Sequence, residues 1–329
     1  MGIHKLMTLI QEKAPRAVKQ VQLDLLSGKV IACDASMAIY QFLIATQSFS
    51  KMGVPGISEL KDSDGNLTGH LVGLFHRTVQ FMENGVKPVW VFDGKAPDLK
   101  ADELEKRKVQ KQAAEEEKEA AVAAGDMERA KQMAGRSIRI TSEMMADAKK
   151  LVKLMGVPCI EAPGEAEAQC AEMVKMGLAF GTATEDMDAL TFGSKYLIRG
   201  FNSKKEPITQ IDLNQVLEGF GMSMDEFIDL CIMCGCDYTN TIGGIGPIKA
   251  YKLIEENRNI EACLEVIKTS NDDPKKKQKF IIPDTFLYEE SRVLFKEPDV
   301  IRDKAELEAL LKWSKPDPEV LKSFLIEEK

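Results

Sequence analysis

No stretch of this sequence approaches the roughly 20 apolar residues that a membrane-spanning helix needs, and residues 1–10 carry no uninterrupted apolar core before a small-residue cleavage site. The seven cysteines (Cys33, Cys159, Cys170, Cys231, Cys234, Cys236 and Cys263) are odd in number and irregularly scattered. That excludes the paired framework of a small secreted domain, so a soluble protein of a reducing, intracellular compartment is expected. Basic residues are not in excess either: 44 Lys and Arg stand against 52 Asp and Glu, a formal charge of −8. Taken alone, that balance argues against a nucleic-acid partner, which usually calls for a basic face. The sum misleads if many of the carboxylates hold cations. No internal repeat marks a solenoid or a propeller.

What is present is a chain of 329 residues, 44% of them apolar, enough to bury a large core in one domain or two closely packed ones. The run Val30 to Cys33 ends in Asp34 and is followed by a helical pattern through Met37, Tyr40, Phe42, Leu43 and Ile44. The arrangement recurs where Pro88 to Phe92 runs into Asp93 and Gly94. Val157 to Ile160 leads through Pro163 into Glu165 and Glu167 at a helix start, and Leu178 to Thr182 leads to Glu185, Asp186 and Asp188. Lys195 to Arg199 reads as one more strand. Units of this kind predict a mainly parallel α/β sheet, whose ligands bind beyond the carboxyl ends of the strands.

Between the second and third units, Leu99 to Ser142 is rich in Ala, Glu, Lys, Arg and Gln and has no proline, which predicts helices standing off the core. Downstream the chain is helical from Met224 to Cys236 and then meets Gly243, Gly244, Ile245, Gly246 and Pro247. The organisation expected is a first core region over 1–98, inserted helices over 99–142, a second core region over 143–235, and a glycine hairpin with C-terminal helices over 236–329.

With this topology Asp34, Asp93, Glu165, Glu167, Asp186, Asp188 and Asp237 converge on one edge of the sheet. Two like charges about 4 Å apart repel by roughly 4 kcal/mol at an effective dielectric near 20, so such a cluster calls for compensating ions. Oxygen-only ligation without an accompanying His or Cys set suits Mg²⁺ or Mn²⁺. Two such ions activate a water and stabilise the leaving oxygen of an in-line phosphodiester displacement. Any one acid after a strand is equally well a helix cap; it is the set that points to ions.

The ordered motifs Met1 Gly2 Ile3, Ile31 to Ser36, Val91 to Lys95, Pro163 to Ala168, Ala183 to Asp188 and Gly243 to Gly246 resemble those of a flap endonuclease of the XPG-like superfamily. The resemblance runs from Met1 to about Phe324. It implies a PIN-like α/β fold, with a helical arch inserted into it and a helix-two-turn-helix element for duplex DNA. It implies a structure-specific 5′ flap endonuclease with 5′–3′ exonuclease activity, acting in replication (Okazaki fragment maturation) and base excision repair in the nucleus, with mitochondria as a further location.

The site residues follow from the same motifs. The seven carboxylates hold two Mg²⁺ ions, Lys100 and Arg107 at the base of the arch steady the scissile phosphate, and Asp186 is essential to catalysis. Tyr40 stacks the base beside the cut, Arg77 is a further DNA contact, and Gly2 packs near the junction. Gly244, Gly246, Lys249 and Lys252 hold duplex backbone, aided by a K⁺ ion on Thr241, Ile242 and Ile245. Lysines 275, 276, 277 and 279 extend that surface. The partners implied are branched DNA with a 5′ flap and the sliding clamp (PCNA), the latter through a tail beyond Lys329; the protein is expected to be a monomer without a membrane.

The chain also departs from the family pattern. Lys5 replaces a glycine, Gln47 stands where Arg is frequent, Ile248 occupies a position that is often basic, and Ser48 to Leu60 is long and apolar, which puts the 3′-flap pocket in question. Glu115, Glu116, Glu117 and Glu119 are expected on the solvated outer face of the arch. A junction-binding module without catalysis remains open as an alternative, since binding needs the hairpin and not the acids. An aspartyl phosphohydrolase is disfavoured by the lack of a companion Asp two residues after Asp34.

Overall fold

The computed structural model describes residues 2–48, 60–62, 65–201, 207–273 and 279–328. Lysines 275–277, most of the segment between Ser48 and Leu60, and the side chain of Gln47 lie outside the described residues.

Seven strands form one sheet: β1 (Val18–Val21), β2 (Val30–Asp34), β3 (Lys87–Phe92), β4 (Cys159–Glu161), β5 (Gly181–Ala183), β6 (Tyr196–Arg199) and β7 (Ile208–Asp212), in the order β1-β7-β6-β5-β2-β3-β4. Strands β6, β5, β2, β3 and β4 are parallel, so their carboxyl ends share one edge; beyond β6, β7 runs antiparallel to it and β1 antiparallel to β7. The mainly parallel sheet is the one expected. Strands β1 and β7 are additions to the expected set.

Alternation along the inner strands divides the core by face. Ile31, Cys33, Trp90 and Phe92 pack with Leu74, Phe81 and Leu151 from the helices Gly69–Glu83 and Ser142–Leu154. Ala32, Val89, Val91 and Ile160 point the other way, onto Cys170 and Met173 of the helix Ala166–Lys175. The one polar atom of Trp90 is satisfied inside the core, its indole N–H donating to Thr78 Oγ1 at 3.0 Å.

A third apolar cluster joins the N-terminal helix Leu6–Lys13 to the helices Met224–Cys234 and Pro247–Asn257 through Leu6, Ile10, Phe227, Ile232 and Ile254. The glycine hairpin is therefore fastened to the amino end of the chain. Its first helix opens on a capping box between Ser223 and Glu226, and its second carries Pro247 in the first turn.

The arch is a pair of antiparallel helices, Ala101–Ala123 and Met127–Ser137. Only small or flexible side chains (Ala114, Ala121, Ala130, Met133 and Ala134) are buried between and beneath them, apart from Ser137 at the end. Little apolar area holds this element to the core, which is the composition expected of helices that stand off it.

Candidate active site

Each acid of the cluster is placed by the end of a strand or the start of a helix. Asp34 closes β2 and is 2% exposed. Its Oδ1 accepts the Met37 N–H at 2.9 Å and its Oδ2 the Thr184 hydroxyl at 2.8 Å. Asp93, just past β3, accepts the Ala166 N–H at 2.8 Å and so caps the helix that carries Glu167. Asp186 accepts the Asp188 N–H at 3.0 Å, while its own N–H donates to Thr184 Oγ1 at 3.1 Å. The capping role open to any single acid is thus realised in Asp34 and Asp93 together with the convergence. One oxygen anchors the side chain to a positive helix terminus.

Asp34, Asp93, Glu165, Glu167 and Asp186 line one cavity of about 830 Å³, roofed by arch residues that include Leu104, Arg107, Lys111, Ala114, Met133 and Arg136. Asp188 is buried beside Asp186, and its Oδ1 has no hydrogen-bond partner. Asp237 stands where the arch meets the hairpin. It accepts Arg107 Nη2 at 2.7 Å and lies 3.3 Å from Lys100 Nζ. Lys100 Nζ also donates to Glu165 Oε1, and the Tyr238 hydroxyl donates to Glu165 Oε2.

The electrostatics show the cost of this crowding. Burial, followed by the neighbouring Asp93, pushes Asp34 up to about 7. Glu167 is raised well above the carboxylate range by burial and then by Asp34, Asp93 and Asp186, and Asp188 by burial and then by Asp186 and Asp237. For Lys100, burial works against the charge, but Glu165, Asp237 and Glu167 together outweigh it and raise its pKa. The donor set is all oxygen, hard and short of positive charge, and one buried oxygen of Asp188 is unpartnered; these are the properties of a site for hard divalent cations. Among the described residues no three acids already stand as a preformed ion cage. Glu165 and Asp237 face Lys100, Arg107 and Tyr238 instead.

Gly2 completes the floor. Its φ is +70°, and a Cβ built on it would lie 1.8 Å from Asp186 Oδ1 and 2.3 Å from Asp188 Oδ1. Only glycine lets the amino end approach two carboxylates this closely. Tyr40 lines the same cavity while packing partly on the core, and Lys111 Nζ lies 5.7 Å from its ring centre.

Other expected positions fall elsewhere. Arg77 does not present its guanidinium to the cleft as a free DNA contact. It donates to the Phe201 carbonyl at 2.6 Å between the rings of Phe42 and Phe201, and burial lowers its pKa to about 10. Glu116, Glu117 and Glu119 are exposed, as expected of a solvated face, although Glu117 also borders the cavity and pairs with Arg129; Glu115 is half-buried and pairs with Lys118.

At the hairpin, Gly244 has a φ of +85° and Gly246 caps the helix Pro247–Asn257. Thr241 is exposed, while Ile242 and Ile245 are buried and joined by an Ile245 N–H to Ile242 carbonyl bond of 3.1 Å. Lys249 donates to the Gly244 carbonyl at 2.9 Å, and Lys252 is exposed. Lys279 donates to the carbonyls of Asn271 and Asp273, the latter at 3.2 Å.

Two residues of the site were absent from the sequence reading. Thr184 lies inside the quoted motif Ala183 to Asp188, and its hydroxyl serves Asp34 and Asp186 at once. Tyr238 directly follows Asp237, and that adjacency was its only signal.

A parallel sheet whose carboxyl edge gathers acids beneath a helical arch defines a nuclease of the XPG class. Comparison with known proteins agrees: the family models of the XPG N-terminal domain and the XPG I-region match residues 1–114 and 156–237. The chain is 51% identical over 329 residues to Flap endonuclease 1 of Tetrahymena thermophila, covering all of this chain and 84% of that protein. Among solved structures it resembles the catalytic core of Rad2 in complex with DNA substrate, with a TM-score of 0.71 and 27% identity over 98% of this chain and 94% of that one. It also resembles flap endonuclease-1 from Methanococcus jannaschii, with a TM-score of 0.67 and 32% identity over 94% of this chain and 90% of that one. The chain belongs to the flap endonuclease family of structure-specific nucleases.

Proposed function

We propose that the protein hydrolyses a phosphodiester near the single-strand/duplex junction of a 5′-flapped DNA, using two Mg²⁺ ions held by Asp34, Asp93, Glu165, Glu167, Asp186, Asp188 and Asp237, some of them through water. The observation that carries this reading is the convergence of five of these acids on a single cavity beneath the arch, with Lys100 and Arg107 at its rim. When bound, the ions supply a metal-activated water and charge neutralisation at the leaving oxygen. Mn²⁺ serves in place of Mg²⁺, since both favour oxygen ligands.

The chain's own residues do the rest. Lys100 and Arg107 exchange their carboxylate partners for the scissile phosphate, which asks for cations fixed at the spot where charge develops. Tyr40 offers its ring to the base beside the cut, a contact worth about 1–3 kcal/mol. Gly2 leaves room for the junction. Duplex backbone lies on Gly244, Gly246, Lys249 and Lys252 without base readout, as contacts to phosphate do. Thr241, Ile242 and Ile245 would hold a K⁺ ion, which would add positive charge on the side of the hairpin that meets the phosphates. The flap passes beneath the arch of 99–142, between the core regions 1–98 and 143–235, while 236–329 carries the duplex.

Branched DNA is thus the substrate. The sliding clamp is a partner, and the nucleus, with mitochondria, is the place of action. No helix among the described residues is long and apolar enough to cross a membrane. The test is cleavage of a labelled double-flap DNA beside single-stranded and blunt duplex controls, in Mg²⁺ or in EDTA. Mg²⁺-dependent release of the 5′ flap alone is expected. Junction binding without cleavage, or full activity in Asp186→Ala, would overturn the assignment.

A further inference from the structure

We propose that Tyr238 is a positioning residue of the cleft, whose phenol fixes the orientation of Glu165 and, through it, of the Lys100 ammonium. Tyr238 is 2% exposed, and its ring meets Phe295 edge-on at 5.0 Å and 70°. Its hydroxyl donates to Glu165 Oε2 while Lys100 donates to Oε1, so the two oxygens of one carboxylate are claimed by two different elements. Lys100 Nζ also lies 5.8 Å from the centre of the Tyr238 ring, which gives the ammonium a second contact with the same residue.

A phenol buried this deeply would leave a desolvated O–H if it turned away from Glu165, at a cost of about 1–3 kcal/mol. The two residues that follow it are tied as well, through their side chains. Thr239 Oγ1 accepts the Leu287 N–H at 2.7 Å and donates to the Thr285 carbonyl at 3.1 Å, and Asn240 Nδ2 donates to Thr285 Oγ1 at 2.8 Å. The segment 285–287 runs directly into the helix Tyr288–Lys296 that supplies Phe295. Tyr238 is thereby held at its ring by Phe295 and flanked by two residues whose side chains tie the chain to 285–287, while its hydroxyl reaches the acids. Hydrogen-bond partners that aim a metal ligand typically change metal affinity or activity by about 10–100-fold when removed.

The inference rests on the reading of Glu165 as an ion ligand, and the experiment separates the two. Mn²⁺ binding to the full chain is followed by the free-ion electron paramagnetic resonance signal, with flap cleavage in Mg²⁺ measured in parallel, for the unaltered protein, Tyr238→Phe and Phe295→Leu. Tyr238→Phe removes one oxygen and keeps the ring. It should bind Mn²⁺ about 10-fold more weakly and lose kcat by a similar factor, with KM for DNA unchanged. Phe295→Leu, which loosens the ring but leaves the hydroxyl, should lower the melting temperature and leave Mn²⁺ affinity within about twofold. If Tyr238→Phe binds Mn²⁺ and turns over like the unaltered protein, or if Phe295→Leu matches its loss of Mn²⁺ affinity, the positioning role is overturned while the ion site stands. If the unaltered protein binds no Mn²⁺, the ion site itself is wrong.

Discussion

Two residues near the amino end show how much a single backbone angle can decide. Gly2 at φ +70° leaves no space for a methyl group against Asp186 and Asp188. Gly2→Ala should therefore displace the amino end from the acids and cut kcat on a flap substrate by at least about 10-fold, a barrier change of roughly 1.4 kcal/mol. Stopped-flow cleavage would read this, with the melting temperature taken alongside. Lys5 is the converse case. Its φ is 54° and ψ 20°, left-handed values at the position where the family pattern has glycine. A side chain there costs roughly 1–2 kcal/mol, part of which is recovered because lysine restricts the unfolded chain more than glycine does. Lys5→Gly should stabilise the protein by about 0.5–1 kcal/mol in urea unfolding, with cleavage preserved. The departure at residue 5 was visible in the sequence; the angle that gives it meaning was not. Arg77 shows what stays hidden from the sequence: the family resemblance implied a DNA contact, while the packing of its guanidinium between Phe42 and Phe201, 35 residues before and 124 residues after it, is encoded by no local pattern.

At the scale of elements, the carboxyl ends of β2 and β3 and the start of the helix Ala166–Lys175 bring acids together that would otherwise repel. These acids were legible because each closes a short apolar run or opens a helix. Strands β1 and β7 were not, because Val18–Val21 and Ile208–Asp212 are short, carry polar residues, and gain their pairing only from partners far along the chain. The gathering of acids has a signature in pH. Asp34 is raised from 3.8 to about 7 by burial and by Asp93, so the folded form binds its proton more tightly than the unfolded chain does. The stability this contributes is present at low pH and is lost as pH rises through the window between those two values. Asp34→Asn, which has no proton to lose, should gain stability over the unaltered ion-free protein, and gain more at pH 7.5 than at pH 5. Thermal melts in EDTA at both pH values would measure the difference, and added Mg²⁺ should reverse its sign by stabilising only the protein that keeps the acid. An advantage of Asp34→Asn that did not grow with pH would contradict the crowding argument. The arch makes its own prediction: Lys100→Ala and Arg107→Ala should each cut kcat by about 10²–10³-fold, the usual scale for removing one fixed charge-stabilising group.

Across the whole molecule, the acid cleft and the glycine hairpin are different kinds of site held in fixed relation. The amino-terminal helix packs on the hairpin through Leu6 and Ile10, and Asp237, at the hairpin's entry, pairs with Arg107 of the arch. The C-terminal segment returns to the core as well. Gln169 bonds the backbone of Ile301 on both sides, at 3.2 and 2.7 Å, and the Trp313 indole donates to the Pro88 carbonyl at 3.2 Å. The net charge of −8 is thus unevenly used, with acids buried around the cleft and the exposed Lys252 on the hairpin helix. Duplex affinity should accordingly belong to the hairpin and survive removal of divalent ions, whereas cleavage should not. In EDTA, binding of a blocked flap substrate is expected to fall by less than about 10-fold while turnover vanishes. Lys252→Ala should weaken binding of every duplex sequence alike and flatten the slope of log affinity against log salt by about one unit, as the loss of one phosphate contact does. A steep loss of duplex binding in EDTA would mean instead that the cleft, with its ions, carries the DNA and that the hairpin only follows.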